Sequence, residues 1–146
     1  MRILVAVATR HGATREIAEH LATALGSALT GAEVAPEVEV RDVGLISSLD
    51  GFDAVVLGSA RYLGQWLEPA RNFARSFSDD LRGLPLWLFS SGPAGEADEP
   101  ARELGRQLAA RDHRVFDRTA DRALVRAWGH EIGATLTATA VAGSAS

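Results

Sequence analysis

The chain of 146 residues contains no cysteine and no lysine. Without cysteine there are no disulfides, thiolate metal sites, iron–sulfur clusters or cysteine nucleophiles. All fifteen basic residues are arginine, a composition that codon bias explains. Whatever its origin, it excludes lysine Schiff bases and the lysine of a Walker phosphate loop. No basic run exists either: the arginines are scattered among acids and the formal charge is −4. That balance argues against a nucleic-acid partner, which needs a concentrated basic surface. Long apolar runs are also missing. The first one, Ile3 to Ala8, is too short for a signal peptide or a membrane span. These absences lead us to expect a soluble, cytoplasmic protein that is not an integral membrane protein.

What is present is alternation. Apolar stretches of strand length alternate with segments of helical period, the pattern of a parallel sheet with crossover helices. Arg2–Ala8 reads as a central strand, apolar on both faces. Ala13–Leu29 reads as a helix with Ile17, Leu21, Leu25 and Leu29 on one stripe, closed by Gly31. Val34–Arg41 alternates like an edge strand, and Asp42–Asp50 reads as loop or short irregular helix. Phe52–Leu57 is a buried strand ending at Gly58-Ser59, followed by a helix over Glu68–Phe77 that packs Ala70, Phe73, Ala74 and Phe77. Asp79-Asp80 at its end reads as a solvated charge pair.

Leu84–Phe89 is the fourth strand, and the helix Pro100–Arg111 starts on a first-turn proline, with Leu104 and Leu108 on one side. Arg114–Phe116 is a short fifth strand. The last helix, Ala123–Thr135, carries Leu124, Trp128, Ile132 and Leu136 on its apolar side. We therefore expect one α/β domain over 1–136 and a flexible tail over 137–146. The order of elements implies a five-stranded parallel sheet of order 2-1-3-4-5 between two helical layers. In such sheets a ligand sits beyond the carboxyl ends of the strands, where the strand order reverses.

Three loops meet that position. Thr9, Arg10, His11, Gly12, Ala13 and Thr14 join the first strand to the first helix. Hydroxyls, a glycine and unsatisfied N–H groups at a helix start favour an anion such as phosphate. The alternative is structural: Thr14 caps the helix and Gly12 makes a tight turn. The second loop, Gly58 to Trp66, includes Ser59, Ala60, Arg61, Tyr62, Leu63, Gly64 and Gln65. Tyr62 and Trp66 there either stack on a flat ligand or fold onto the following helix. The third loop starts at Ser90 and includes Ser91, Gly92, Pro93, Ala94 and Gly95. Its small residues and backbone amides suit a polar ring edge, or make an ordinary turn.

The run Ala8 to Ala18 resembles the Thr-x-x-Gly-x-Thr phosphate loop of flavodoxins. It is especially similar to the form in menaquinone-dependent protoporphyrinogen oxidases, Ser-Thr-Arg-x-Gly-x-Thr-Arg-Glu-Ile-Ala. Gly64, Trp66 and Phe73 fall at matching positions in the second loop and its helix, and Trp128 to Ile132 resembles that group's last helix. The resemblance implies a flavodoxin-like three-layer sandwich that binds flavin mononucleotide (FMN) through the three loops. It implies a redox protein: an electron carrier or a small oxidoreductase linked to a quinone or a protoporphyrinogen, with a quinone or a reductase as partner. It also implies that a turn near Leu63-Gly64 reorients when the ring gains a proton.

Two departures stand out. His11 occupies a position where flavodoxins place a hydroxyl, adding a titratable group. Only Asp117–Arg122 separates the fifth strand from the last helix, where the oxidase group carries a long segment tied to its activity. The third loop also lacks an aromatic, leaving one flavin face less covered.

No acid–base pair, metal constellation or partnered nucleophile is legible, and of His11, His20, His113 and His130 only His11 falls in an expected site. A flavodoxin-fold binding module with weak or no flavin is the competing reading. A receiver of the same topology is excluded, since its acidic cluster, phosphoacceptor aspartate and lysine are missing.

Overall fold

The computed structural model describes residues 1–30, 35–92, 98–117 and 122–145, with side chains to Ala138. Its centre is β1 (Arg2–Ala8), in which every residue after Arg2 is buried. Leu4, Ala6 and Ala8 point to one core cluster, and Ile3, Val5 and Val7 to the other. This two-sided burial is what a continuous apolar strand dictates. Helix α1 (Ala13–Ala28) follows and lays Ile17, Leu21, Leu25 and the next residue of that stripe, Leu29, against the second cluster. The strand β2 (Glu37–Asp42) pairs parallel to β1 at the edge of the sheet, with no fully buried residue. It starts later than the alternation suggested, behind Pro36, which has no N–H to give a ladder. The expected closing residue Gly31 lies outside the described residues, as does Val34. A single 3-10 turn (Val43–Leu45) sits in the following loop, capped by the Asp42 side chain on Gly44 N–H at 2.9 Å.

The strand β3 (Ala54–Tyr62) corrects the sequence reading most. Rather than ending at Gly58-Ser59, it stays in the ladder, parallel to β1 up to the Ala8–Ser59 pair. On its other side it pairs with β5 (Leu86–Ser91) as far as the Ala60–Ser91 pair. Gly58 is a packing residue there: a Cβ on it would lie 2.1 Å from the Phe89 ring. The chain then turns at Leu63-Gly64, both at positive φ (54° and 76°), into β4 (Gln65–Trp66), antiparallel to β3. Two positive-φ residues match the tight hairpin turn that follows strand twist. The expected second loop is therefore a β-hairpin.

Beyond it, α2 (Glu68–Ser76) buries Ala70, Phe73 and Ala74, with Phe77 partly buried. A separate short helix, α3 (Ser78–Arg82), opens with Asp79 and Asp80 in its first turn. Those acids thus stand at a helix start, where the dipole favours them, rather than at a helix end. The strand β5 (Leu86–Ser91) lies two residues later than expected, so Ser90 and Ser91 are buried strand residues and not loop. Helix α4 (Glu99–Leu108) begins one residue before Pro100, because Asp98 caps it through Ala101 N–H. Leu108 on it is buried and Leu104 partly so.

The strand β6 (Asp112–Phe116) completes the sheet, in the order β2-β1-β3-β5-β6, with β4 bonded to β3. The five parallel strands have the flavodoxin-like order expected from the sequence. Helix α5 (Arg122–Ala145) buries Val125, Trp128, Ile132 and Leu136. Leu124 points to solvent instead, 62% exposed, since 125, 128, 132 and 136 form the closer 3.6-residue stripe. The helical backbone also continues past Thr135, over the segment read as a tail. Helices α1 and α5 cover one face of the sheet; α2, α3 and α4 cover the other. Among the described residues no helix is long and apolar enough to cross a membrane.

Candidate functional site

The sheet register brings the three expected segments side by side. Ala8 pairs with Ser59 and Ala60 with Ser91, so the carboxyl ends of β1, β3 and β5 are adjacent. At the first of them the chain makes a short turn into α1. Thr9 Oγ1 accepts the Gly12 N–H at 2.9 Å, and Gly12, at φ 87°, stands at the N-cap position. Glycine adopts this left-handed conformation without strain, but it brings no side chain to cap the helix. The first-turn N–H groups therefore keep the orphan character that helix starts have.

Thr14 sharpens this. It is 1% exposed and its Oγ1 has no hydrogen-bond partner among the described residues. A buried hydroxyl left unpaired costs about 1–3 kcal/mol. The expected alternative, that Thr14 caps its own helix, is not what the geometry shows: it lies one residue inside the helix and caps nothing. Arg10, His11 and Gly12 are exposed above it. Uncapped N–H groups, a spare hydroxyl in the first turn and the positive end of a sixteen-residue helix occur together at this turn, a combination that favours an anion.

The hairpin behaves differently. Trp66 is 3% exposed and faces the α2–α4 side of the sheet, its indole Nε1–H donating to Ser90 Oγ at 2.8 Å. Ser59, expected in the site, is likewise buried. Its Oγ accepts the Leu67 N–H at 3.0 Å and donates to the Ala60 carbonyl, which ties β3 to the start of α2. Tyr62, Leu63 and Gln65 stay exposed at the tip. The Arg10 guanidinium lies 3.9 Å from the centroid of the Tyr62 ring, so the phosphate loop touches the hairpin by a cation–π contact. Trp66 is thus covered by the protein itself, whereas Tyr62 has Arg10 over its ring and remains 52% exposed. Of the third segment, Ser91 is buried and Gly92 N–H donates to the Phe116 carbonyl at 2.9 Å. Pro93, Ala94 and Gly95 lie outside the described residues.

The family model of the flavodoxin domain matches residues 4–123. The chain belongs to the flavodoxin family. Solved structures agree in fold. A flavodoxin from the domain Archaea is 20% identical over 94% of this chain and 99% of that one, with a TM-score of 0.76. A cysteine-to-serine mutant of the flavodoxin from Pseudomonas aeruginosa is 20% identical over 94% and 99%, TM-score 0.70. The rubredoxin oxygen:oxidoreductase from Desulfovibrio gigas is 13% identical over 94% of this chain but 36% of its own, TM-score 0.74. No curated protein matches the chain. None of these findings points to the protoporphyrinogen oxidase group in particular.

The flavodoxin family implies FMN, and the residues at the α1 start fit its phosphate, as the Thr14 hydroxyl and the uncapped helix turn show. A cleft of about 450 Å³ opens elsewhere, between α2, α3 and α4 behind Trp66, with Arg71, Arg75 and Arg82 at its rim. It lies on the helical layer and not over the β1–α1 turn.

One cluster escaped the sequence reading. Ser90, Asp98, His113 and Arg61 come from four different segments and meet beneath the hairpin. Ser90 Oγ donates to Asp98 Oδ2 in a short bond and lies 3.1 Å from His113 Nε2. Asp98 Oδ2 is 3.5 Å from His113 Nε2 and 4.0 Å from an Arg61 terminal nitrogen. Burial pushes the Asp98 carboxyl up. The hydrogen bonds from His113 and Ser90, and the charges of His113 and Arg61, outweigh it and hold the group below its ordinary 3.8.

A serine, a histidine and an aspartate together suggest a hydrolase, but the geometry excludes it. Ser90 is fully buried, and it and Asp98 crowd the same imidazole nitrogen, whereas a triad uses both. A signal did exist: Asp98 directly before Glu99-Pro100 is a helix-cap sequence.

Proposed function

We propose that this flavodoxin-family protein is an FMN-dependent electron-transfer protein, its phosphate site formed by Thr9, Gly12, Ala13 and Thr14. The observation that carries this reading is the buried, unpartnered Thr14 hydroxyl beside an uncapped helix start at the switch point of the sheet. When bound, the flavin supplies the redox chemistry. The protein's own residues bind and orient it. The α1 start holds the phosphate, with His11 and Arg10 at its rim. Ala60, Arg61, Tyr62, Leu63, Gly64 and Gln65 of the hairpin form one wall for the ring. Ser91 and Gly92, at the end of β5, supply the facing edge.

We place the protein in the cytoplasm, with a reductase or a quinone as electron partner. The five residues 117–121 between β6 and α5 are too few for the long segment of the protoporphyrinogen oxidase group, which favours a carrier over an oxidase of that type. Colour tests the proposal. Mixed with FMN, the purified protein is expected to shift the flavin's visible spectrum and quench its fluorescence. A spectrum that stays that of free FMN at saturating protein would leave a flavodoxin-fold binding module.

A further inference from the structure

Two of the contacts that hold the β3–β4 hairpin, beyond the β3 ladders, lead to the same buried group. Trp66, in β4, donates to Ser90 Oγ, and Ser90 Oγ donates to Asp98. Arg61, in β3, reaches Asp98 directly at 4.0 Å, with a side chain only 4% exposed. The Arg61 guanidinium also fills the space beside Gly92, where a Cβ would come within 2.9 Å of its Nε. His113, from β6, closes the cluster from the other side. Asp98 in turn starts α4, with Oδ1 on Ala101 N–H at 3.4 Å.

A buried arginine and carboxylate are costly unless fully partnered, and one well-packed apolar pair would serve the core as well or better. Stability alone does not account for them. What the cluster does geometrically is join hairpin side chains, Arg61 and Trp66, to the Ser90–Gly92 end of β5, where the β3–β5 ladder ends at Ala60–Ser91.

We infer that Asp98 is a positioning residue for the flavin ring: through Arg61, Ser90 and Trp66 it sets the gap between the two walls. This rests on the flavin reading above, but the two can fail separately. The phosphate site at Thr14 lies at the start of α1, whose buried stripe packs in the core cluster on the other face of the sheet from Trp66, and among the described residues Thr14 Oγ1 makes no hydrogen bond to Ser90, Asp98 or His113. Asp98 variants should therefore weaken recognition of the ring and leave recognition of the phosphate alone.

The experiment measures dissociation constants of full-length protein for FMN and for riboflavin, which has the ring and no phosphate, together with the visible spectrum of bound FMN. Asp98→Asn keeps an oxygen for the Ala101 N–H and removes the charge that holds Arg61. It is expected to weaken FMN and riboflavin by the same factor, on the order of tenfold, and to shift the bound-flavin spectrum. His113→Gln, a milder change at the rim of the cluster, is expected to move both in the same direction by less. Circular dichroism at the assay temperature selects variants that fold, so His113→Gln decides the matter if Asp98→Asn does not.

Unchanged affinities and spectrum in a folded variant would overturn the inference. So would a loss confined to FMN, which would place the effect at the phosphate. Wild type that binds neither ligand would overturn the flavin reading itself, and this inference with it.

Discussion

The two ends of the expected flavin cradle are built on opposite principles. At the β1–α1 turn, Gly12 leaves the helix uncapped and Thr14 keeps a buried hydroxyl without a partner. At the hairpin, across the sheet, the aromatic rings and serine hydroxyls are all engaged by the protein. Trp66 donates to Ser90, Ser90 to Asp98, Ser59 bridges Leu67 and Ala60, and Arg10 covers Tyr62. Folded proteins pair almost all their buried polar groups. An exception at a helix start leaves a polar group available to a ligand, whereas a group already bonded within the protein serves the scaffold. Thr14 and Trp66 were both expected to touch flavin; Thr14 Oγ1 has no partner among the described residues, whereas the Trp66 Nε1–H is engaged by Ser90.

That contrast can be broken at several points. The largest effect is expected at Asp98. Asp98→Ala removes the buried counter-charge of Arg61 and should cost about 3–5 kcal/mol of stability at neutral pH, measured by urea unfolding. Because the folded carboxyl titrates below its unfolded value of 3.8, its contribution is full above that value. It is lost as pH falls through the folded value, so the gap between wild type and variant should narrow there. A gap that stays constant to strongly acid pH would mean the charge does not matter.

Trp66 comes next. Trp66→Phe retains most of the buried ring but removes the N–H that Ser90 accepts, and should cost about 1–2 kcal/mol. Its effect on FMN affinity should be no larger than a change in hairpin position allows. A variant that folds as stably as wild type yet loses all FMN would restore Trp66 as a flavin contact. The smallest effect is expected from Arg10→Ala, which uncovers Tyr62 and should cost about 0.5–1 kcal/mol in the apoprotein.

The sequence carried the fold well and the site unevenly, for reasons visible in particular residues. Apolar period identified β1, the stripe of α1 and the strand order, because two-sided burial and 3.6-residue spacing are properties of the chain itself. Glycine misled where its role was tertiary. Gly58 reads as a strand end and is a packing residue for Phe89, a contact made by a neighbouring strand. Leu124 and Val125 are adjacent apolar residues, and only the docking of α5 decides which is buried.

The β1–α1 turn could be read as a candidate anion site because its chemistry is local, a single turn at one helix start. The Ser90–Asp98–His113–Arg61 cluster was not, because its members are joined only by the sheet. Each alone looks like an ordinary loop serine, cap or surface charge.

The central claim is that the Thr14 hydroxyl is left unpaired for a phosphate. Thr14→Val tests it most directly, with affinity for FMN and riboflavin and the stability of the apoprotein measured together. The preference for FMN over riboflavin is expected to fall on the order of tenfold, while riboflavin affinity holds. The apoprotein should become about 1 kcal/mol more stable, or no less so, since a buried unsatisfied oxygen has been replaced by a methyl group. An unchanged preference for FMN, with the apoprotein destabilised, would contradict it: Thr14 would then be a structural hydroxyl and the anion site would lie elsewhere.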